Sequence, residues 1–297
     1  MAKSVFNNES GKASLSYADE NDPLIKKLII RTIERATGRP MLEKKYTEVK
    51  EMGLEPEQVW PELMKQLDLK VIYDIDQRNK IPKTGPVIFV SNHPFGVVDG
   101  VIMAWLVNSV RPDFFFMVNA LLVGEEIVDR YLEPIDFAGT PEARETNERS
   151  KENTIRRLKN GESFVIFPSG AVATSKKIGK PAEDFRWRRF LSMLVHEVKA
   201  TVVPLYFEGQ NSPLFQLVSK FSMNLRLSLL LNEVKNKMGK EIVVKIGDPV
   251  PYEEVAHITD RTELVDYLRN KSHSMGDQIK KPLYPRKMPK HDGDITS

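Results

Sequence analysis

His93 and Asp99 are the two side chains of this 297-residue sequence whose types and spacing point most directly to chemistry. They stand in the stretch Ser91-Asn92-His93-Pro94-Phe95-Gly96-Val97-Val98-Asp99-Gly100. A neutral imidazole can take a proton from a hydroxyl, and a nearby carboxylate fixes its tautomer and stabilises the imidazolium that forms. A structural reading stays open beside that one. His next to Pro is common in turns, and Asp suits the positive end of a helix. A second stretch of interest is Phe167-Pro168-Ser169-Gly170, where the glycine lets backbone N–H groups approach an anion closely. Neither Ser91 nor Ser169 lies in a Gly-x-Ser-x-Gly elbow, so a serine hydrolase is the weaker reading.

The elements that must hold these residues follow from hydrophobic pattern. Val87 to Val90 is a continuous apolar run, the mark of a buried strand, and Pro94 cannot continue its ladder. Gly96 permits an unusual backbone angle. Val97, Val98, Val101, Ile102, Trp105 and Leu106 then read as a helix. His93 is therefore expected at the carboxyl end of a strand and Asp99 in the first turn of the next helix, where open α/β sheets bind ligands. Further strands are expected over 69–75, 114–118, 132–137, 163–167, 201–207 and 241–247. Pro204 inside one of them demands an edge or a bulge. Helices are expected over 41–67 with a break near Gly53 and Pro56, and over 121–131, 142–158, 185–198 and 225–238, with a closing helix capped by Asp260. Arg226 near the start of the 225–238 helix faces either an anionic group or solvent. The alternation predicts an α/β class: a mixed, largely parallel sheet flanked by helices, with an N-terminal helical accessory layer. Residues 1–68 read as a polar arm and amphipathic helices, 69–280 as the main domain and 281–297 as a polar tail.

Composition narrows the classes. There are no cysteines, which excludes disulfides and thiol catalysis and suits a cytoplasmic setting. The five histidines are scattered, so no metal cluster is expected. A net charge of +3 is too small to argue for nucleic acid and compatible with an anionic membrane surface. No apolar run is long enough to span a bilayer, and Met1-Ala2-Lys3-Ser4 does not begin a signal peptide. The segment 23–36 reads as a basic amphipathic helix, which either lies in a bilayer interface or packs on the core.

The quoted motifs resemble those of the lysophospholipid acyltransferase superfamily, the glycerol-phosphate acyltransferase-like enzymes. Ser-Asn-His followed by Asp-Gly resembles the first motif, with five residues between His93 and Asp99 where most members have four. That longer form is similar to the hemolysin-like branch, which includes O-acyltransferases making ornithine and glycine lipids. Phe167-Pro168-Ser169-Gly170 resembles the third motif, usually Phe-Pro-Glu-Gly-Thr-Arg-Ser, with Ser169 in place of Glu and Ala171, Val172 and Ala173 in place of Thr, Arg and Ser. Pro204 and Phe-Glu208-Gly-Gln-Asn211-Ser resemble the fourth.

The resemblance implies an O-acyltransferase with His93 as general base and Asp99 as its partner. Substrate contacts are expected from Asn92, Phe95, Gly96, Phe167, Pro168, Ser169, Gly170, Glu208 and Asn211, and oxyanion donors from amides near Gly170. It implies no cofactor and no metal. The donor would be a thioester of acyl carrier protein or coenzyme A, and the acceptor a lyso-lipid. The enzyme would work peripherally on the cytoplasmic face of the membrane. The lost motif arginine argues against a phosphomonoester acceptor, although Lys176, Lys177, Arg186, Arg188 and Arg189 offer positive charge nearby. A lipid- or carrier-binding protein without turnover is the alternative, and a thioesterase or lipase using Ser91 or Ser169 ranks last.

Overall fold

A computed structural model describes residues 38–123, 126–177, 179–219 and 223–277. The amphipathic helix expected over 23–36 and the tail over 281–297 lie outside them. Two helices, α1 (Arg39–Glu51) and α2 (Pro56–Gln66), come first, broken where Gly53 and Pro56 predict a break. Trp60 of α2 sits edge-on to Tyr131 at 5.5 Å, and Tyr131 stacks on Phe114 at 4.7 Å, so this layer joins the main core.

The sheet is built from β1 (Lys70–Ile72), β2 (Val87–Ser91), β3 (Phe114–Asn119), β4 (Leu132–Ile135), β5 (Ser163–Ile166), β8 (Thr201–Phe207) and β9 (Glu241–Ile246). Its order is β1-β9-β8-β2-β5-β3-β4. The five strands from β8 to β4 run parallel, while β9 is antiparallel to β8 and parallel to β1. Every residue of β2 is buried, as a strand covered on both faces requires. Helix α4 (Val97–Asn108) follows β2, α6 (Pro141–Lys159) covers β4 and β5, and α11 (Arg261–Asp277) packs on β8. Thr140 caps α6, its hydroxyl accepting from Ala143 N, and α6 keeps only Ala143, Ser150, Thr154 and Leu158 buried.

Several expectations are corrected. The strand expected over 69–75 ends at Ile72, because the Asp74 carboxylate accepts from Asp76 N at 2.8 Å and caps a short helix, α3 (Ile75–Asn79). The helix expected over 121–131 is a single 3₁₀ turn, Ala120–Leu122, followed by α5 (Glu126–Asp129). The helix expected from 185 starts later, as α7 (Phe190–Val198), because the segment before it is held by other bonds. A small hairpin, β6 (Thr174–Ser175) with β7 (Ala182–Glu183), was not expected. Of the two settings that Pro204 demands, an edge or a bulge, the structure shows the bulge, in an interior strand. Val202 bridges Val250 while Leu205 pairs with Ile246, so the chain opposite carries an extra residue there. Pro204 accepts from Gly247 N at 2.8 Å, and the bulge removes the partner its absent N–H would need. The remaining helices are α8 (Pro213–Val218), α9 (Met223–Lys237) and α10 (Tyr252–Val255). Asp260 caps α11 through Thr262 N and Glu263 N, both at 2.8 Å.

The amino ends of the strands are tied by Arg111, which is 1% exposed. Its guanidinium grips Asp113 at 2.8 and 2.7 Å and donates to the carbonyls of Pro82, Gly85 and Gly161. Those residues precede β2, β5 and β3, so one side chain sets the register of three strand entrances. Arg111→Met leaves three carbonyls without their donor. We expect it to lower stability by about 3 kcal/mol, read as a shift in the urea midpoint at unchanged slope. A loss under about 1 kcal/mol would show that the strand entrances hold without it.

Candidate active site

Three adjacent parallel strands, β5, β2 and β8, deliver the conspicuous motifs to one edge of the sheet. Phe167-Pro168-Ser169-Gly170 leaves β5, Asn92-His93 leaves β2, and Glu208 to Asn211 leaves β8. The carboxyl ends of these strands therefore form the site.

His93 Nδ1 lies 2.9 Å from Asp99 Oδ2. The same oxygen accepts from Phe95 N at 2.8 Å and Gly96 N at 3.0 Å. Three donors on one oxygen make Nδ1 the protonated nitrogen and leave Nε2 as the basic one, an assignment that follows from the hydrogen bonds. Asp99 is fully buried, and its Oδ1 has no partner among the described residues. Burial raises its carboxyl above the ordinary range, against the opposing pull of His93 and the two amides. The turn that makes this possible has φ +80° and ψ −116° at Gly96. A Cβ there would stand 2.8 Å from Leu230 Cδ2 and 3.2 Å from Val172 Cγ2. The extra residue between His93 and Asp99 is thus absorbed in a turn only glycine can make.

The third-motif segment closes on the same imidazole. Phe167 stacks on His93 with ring centroids 4.1 Å apart and planes 17° apart. Ala173 N donates to His93 O at 2.7 Å. Pro168 is buried and accepts from Arg188 N, which holds residues 185–189 out of a helix. Ser169 is buried, and its hydroxyl donates to Ala171 O at 3.0 Å. Gly170 has φ +69°, and its N–H closes a turn onto Phe167 O at 2.9 Å. That amide is occupied and does not point to an oxyanion. Ser91 is fully buried, with its hydroxyl on Asn92 Oδ1 at 3.2 Å.

The remaining candidates are spread around this centre. Asn92 uses both ends of its amide on Phe207, donating to O at 2.9 Å and accepting from N at 2.7 Å. It therefore clips β2 to the end of β8 and has no amide group turned to a substrate. Phe95 is buried under Gly209, where a Cβ would approach its ring to 3.0 Å, and Lys237 Nζ stands 4.2 Å over the ring. Glu208 pairs with Lys245 at 3.1 Å. Asn211 is buried, and neither amide atom has a partner among the described residues. Lys176 pairs with Glu183 across the hairpin. Arg186, Arg188 and Arg189 are exposed and share with Trp187 and Asp266 a cleft of about 310 Å³. His196 bonds to Ile258 O at 3.1 Å, which suits its structural reading. Among the described residues no His, Asp or Glu cluster could hold a metal ion.

Sequence reasoning missed Asp184. Its carboxylate, nearly fully buried, accepts from Trp187 Nε1 at 2.8 Å and lies 3.8 Å from His273 Nε2. Burial raises its pKa, opposed by the Trp187 bond and by the nearness of His93 and Ser169. A second buried carboxylate thus stands against the His93 loop. Its sequence signal, an Asp three residues before a Trp, is too weak to have been found.

Comparisons with known proteins agree on one family. A family model described as Acyltransferase matches residues 63–281. The lyso-glycine lipid O-acyltransferase of Phocaeicola vulgatus is 26% identical over 197 residues, 64% of this chain and 67% of that one. Its namesake from Bacteroides thetaiotaomicron is 23% identical over 214 residues, 70% and 75% of the two chains. The crystal structure of the 1-acyl-sn-glycerophosphate acyltransferase PlsC from Thermotoga maritima superposes with a TM-score of 0.51 at 17% identity, covering 88% of this chain and 99% of that one, a likeness of fold.

Two outcomes are expected from this geometry. A carboxyl whose pKa folding raises binds more protons in the folded than in the unfolded chain, so its share of stability is lost as pH rises above about 4. Asp184→Asn removes that loss. The variant should gain thermal stability relative to wild type at pH 8 compared with pH 4, and an equal difference at both would contradict the reading. Gly96→Ala should cost about 1–3 kcal/mol from the forced backbone angle and lower turnover by displacing Asp99. Unchanged unfolding and unchanged activity together would show the turn to be unstrained by a side chain.

Proposed function

The chain belongs to the acyltransferase family, and from that premise we propose that it moves a fatty acyl group from a thioester to the hydroxyl of a lyso-lipid. The observation that carries this reading is the His93–Asp99 pair, with Nδ1 held by a buried carboxylate and Nε2 left basic. The curated relatives are named for lyso-glycine lipid, which favours an amino-acid lipid as acceptor. The replacement of the third-motif arginine by Val172 agrees with an acceptor that lacks a phosphomonoester.

His93 Nε2 takes the proton of the acceptor hydroxyl as its oxygen attacks the thioester carbonyl. The new C–O bond gives a tetrahedral oxyanion. Its collapse breaks the C–S bond, and the imidazolium returns the proton to the departing sulfur. Asp99 steadies the imidazolium between the two transfers. Because the Gly170 amide is occupied, the amides of Ala171 and Val172 are the candidate oxyanion donors. The thioester is carried by acyl carrier protein or coenzyme A.

Among the described residues no helix is long and apolar enough to cross a membrane. Phe137, Phe185, Leu214 and Leu217 are exposed apolar side chains that suit a protein working against the cytoplasmic face of the bilayer.

The test is thiol release from acyl carrier protein and coenzyme A thioesters with a panel of lyso-lipids. Acceptor-dependent release should fall about 10²–10⁴-fold in His93→Ala. Release that ignores the acceptor would identify a thioesterase. Undiminished activity in the variant would remove His93 from the mechanism. Silence with every pair, while lipid still binds, would favour a binding protein.

A further inference from the structure

Arg226 of α9 is a buried arginine with no carboxylate partner among the described residues. It is 7% exposed, and its Nη2 donates to the carbonyl of Val172 at 2.5 Å. Among the described residues no Asp or Glu pairs with it. Phe185 and Phe215 flank the guanidinium, their ring centroids 6.0 and 5.9 Å from Cζ. Burial lowers its pKa with no acidic neighbour to oppose the shift. Arg111, also buried, shows what a structural arginine looks like here: a bidentate carboxylate and three carbonyls satisfy it. A guanidinium has five N–H donors, and a desolvated charge is costly unless something negative completes it.

The place is informative. Val172 occupies the position at which the related motif carries its arginine. The guanidinium of Arg226 sits on the carbonyl of that same residue, so a helix remote in sequence returns the missing charge to the motif. Val172 also lies against Gly96, and its neighbour Ala173 holds His93 O. The charge is therefore beside the loop that carries the imidazole. Phe185 is 44% exposed, and α8 turns Leu214 and Leu217 outward beside the buried Phe215. The surroundings suit an amphiphile with an anionic head and apolar chains.

We propose that Arg226 binds the carboxylate of the acceptor lipid, orienting its hydroxyl toward His93. The proposal rests on the acyl-transfer reading and adds the head-group class that the site selects. A glycine held through its nitrogen keeps a free carboxylate, which a guanidinium can grip with two parallel hydrogen bonds. Arg226 is a binding residue and takes no part in proton transfer.

The test separates binding from turnover. Calorimetry on the full chain measures binding of a short-chain N-(hydroxyacyl)glycine, its methyl ester and a lysophosphatidate of matched length. Wild type should bind the acid about ten- to hundredfold more tightly than the ester. Arg226→Gln should bind both alike, and Arg226→Lys should recover part of the preference. Far-UV circular dichroism and thermal unfolding confirm that the variants fold. Equal binding of acid and ester by wild type overturns the proposal, as does a preference that survives in Arg226→Gln. An Arg226-dependent preference for lysophosphatidate overturns the carboxylate assignment. A raised KM for the acyl donor alone, in Arg226→Gln, moves the anion to the donor's phosphates and overturns it too. Arg226-dependent binding of the acid without any acyl transfer supports the head-group site and sinks the reaction instead.

Discussion

The bond between His93 Nδ1 and Asp99 Oδ2 is the interaction on which the rest of the site depends. It is built in a place that water does not reach, and one carboxylate oxygen receives the imidazole and two backbone amides together. The amides and the imidazole oppose the cost of desolvation, which still raises the carboxyl above its ordinary range. The arrangement needs the chain to reverse within a few residues after β2, which Gly96 allows, and it needs Val172 and Leu230 to close over that turn. Packing, backbone conformation and proton chemistry are therefore one construction here.

The sheet supplies the larger frame. Its central parallel strands end together, so residues far apart in the chain arrive side by side. Phe167 covers one face of the imidazole, and Asn92 binds the end of β8 to the end of β2. At the opposite edge Arg111 gathers the strand entrances. One edge of the sheet is made rigid by saturated hydrogen bonds. The other keeps groups with no partner among the described residues, among them Asp99 Oδ1 and the amide of Asn211, and stored imperfection of that kind gathers where proteins bind and react.

Much of this was legible in the sequence. A continuous apolar run bounded by Pro gave β2 to the residue, and the strands over 114–118, 163–167 and 201–207 emerged within a residue of their places. His93 and Asp99 could be paired because both the turn and the helix start are local signals. What escaped was set by contacts over distance. Asp184 reads as one acid among many until the fold buries it beside Trp187 and the His93 loop. Arg226 could face either way on a helix whose pattern does not decide the matter. Asn92 is a substrate contact by the motif resemblance; the fold gives its amide to Phe207. The early end of β1 and the late start of α7 both reflect side-chain and backbone bonds that override periodicity.

The clip made by Asn92 has a mechanical side. With both amide ends on the backbone of Phe207, the ends of β2 and β8 are tied together by a side chain as well as by their ladder. Past their paired ladder, the segments that leave β2 and β5 meet in another way: a ring stacked on a ring and an amide from Ala173. Stacked rings slide where paired amides do not. The imidazole is thus tied to its acid partner by a hydrogen bond and covered by a stacked ring.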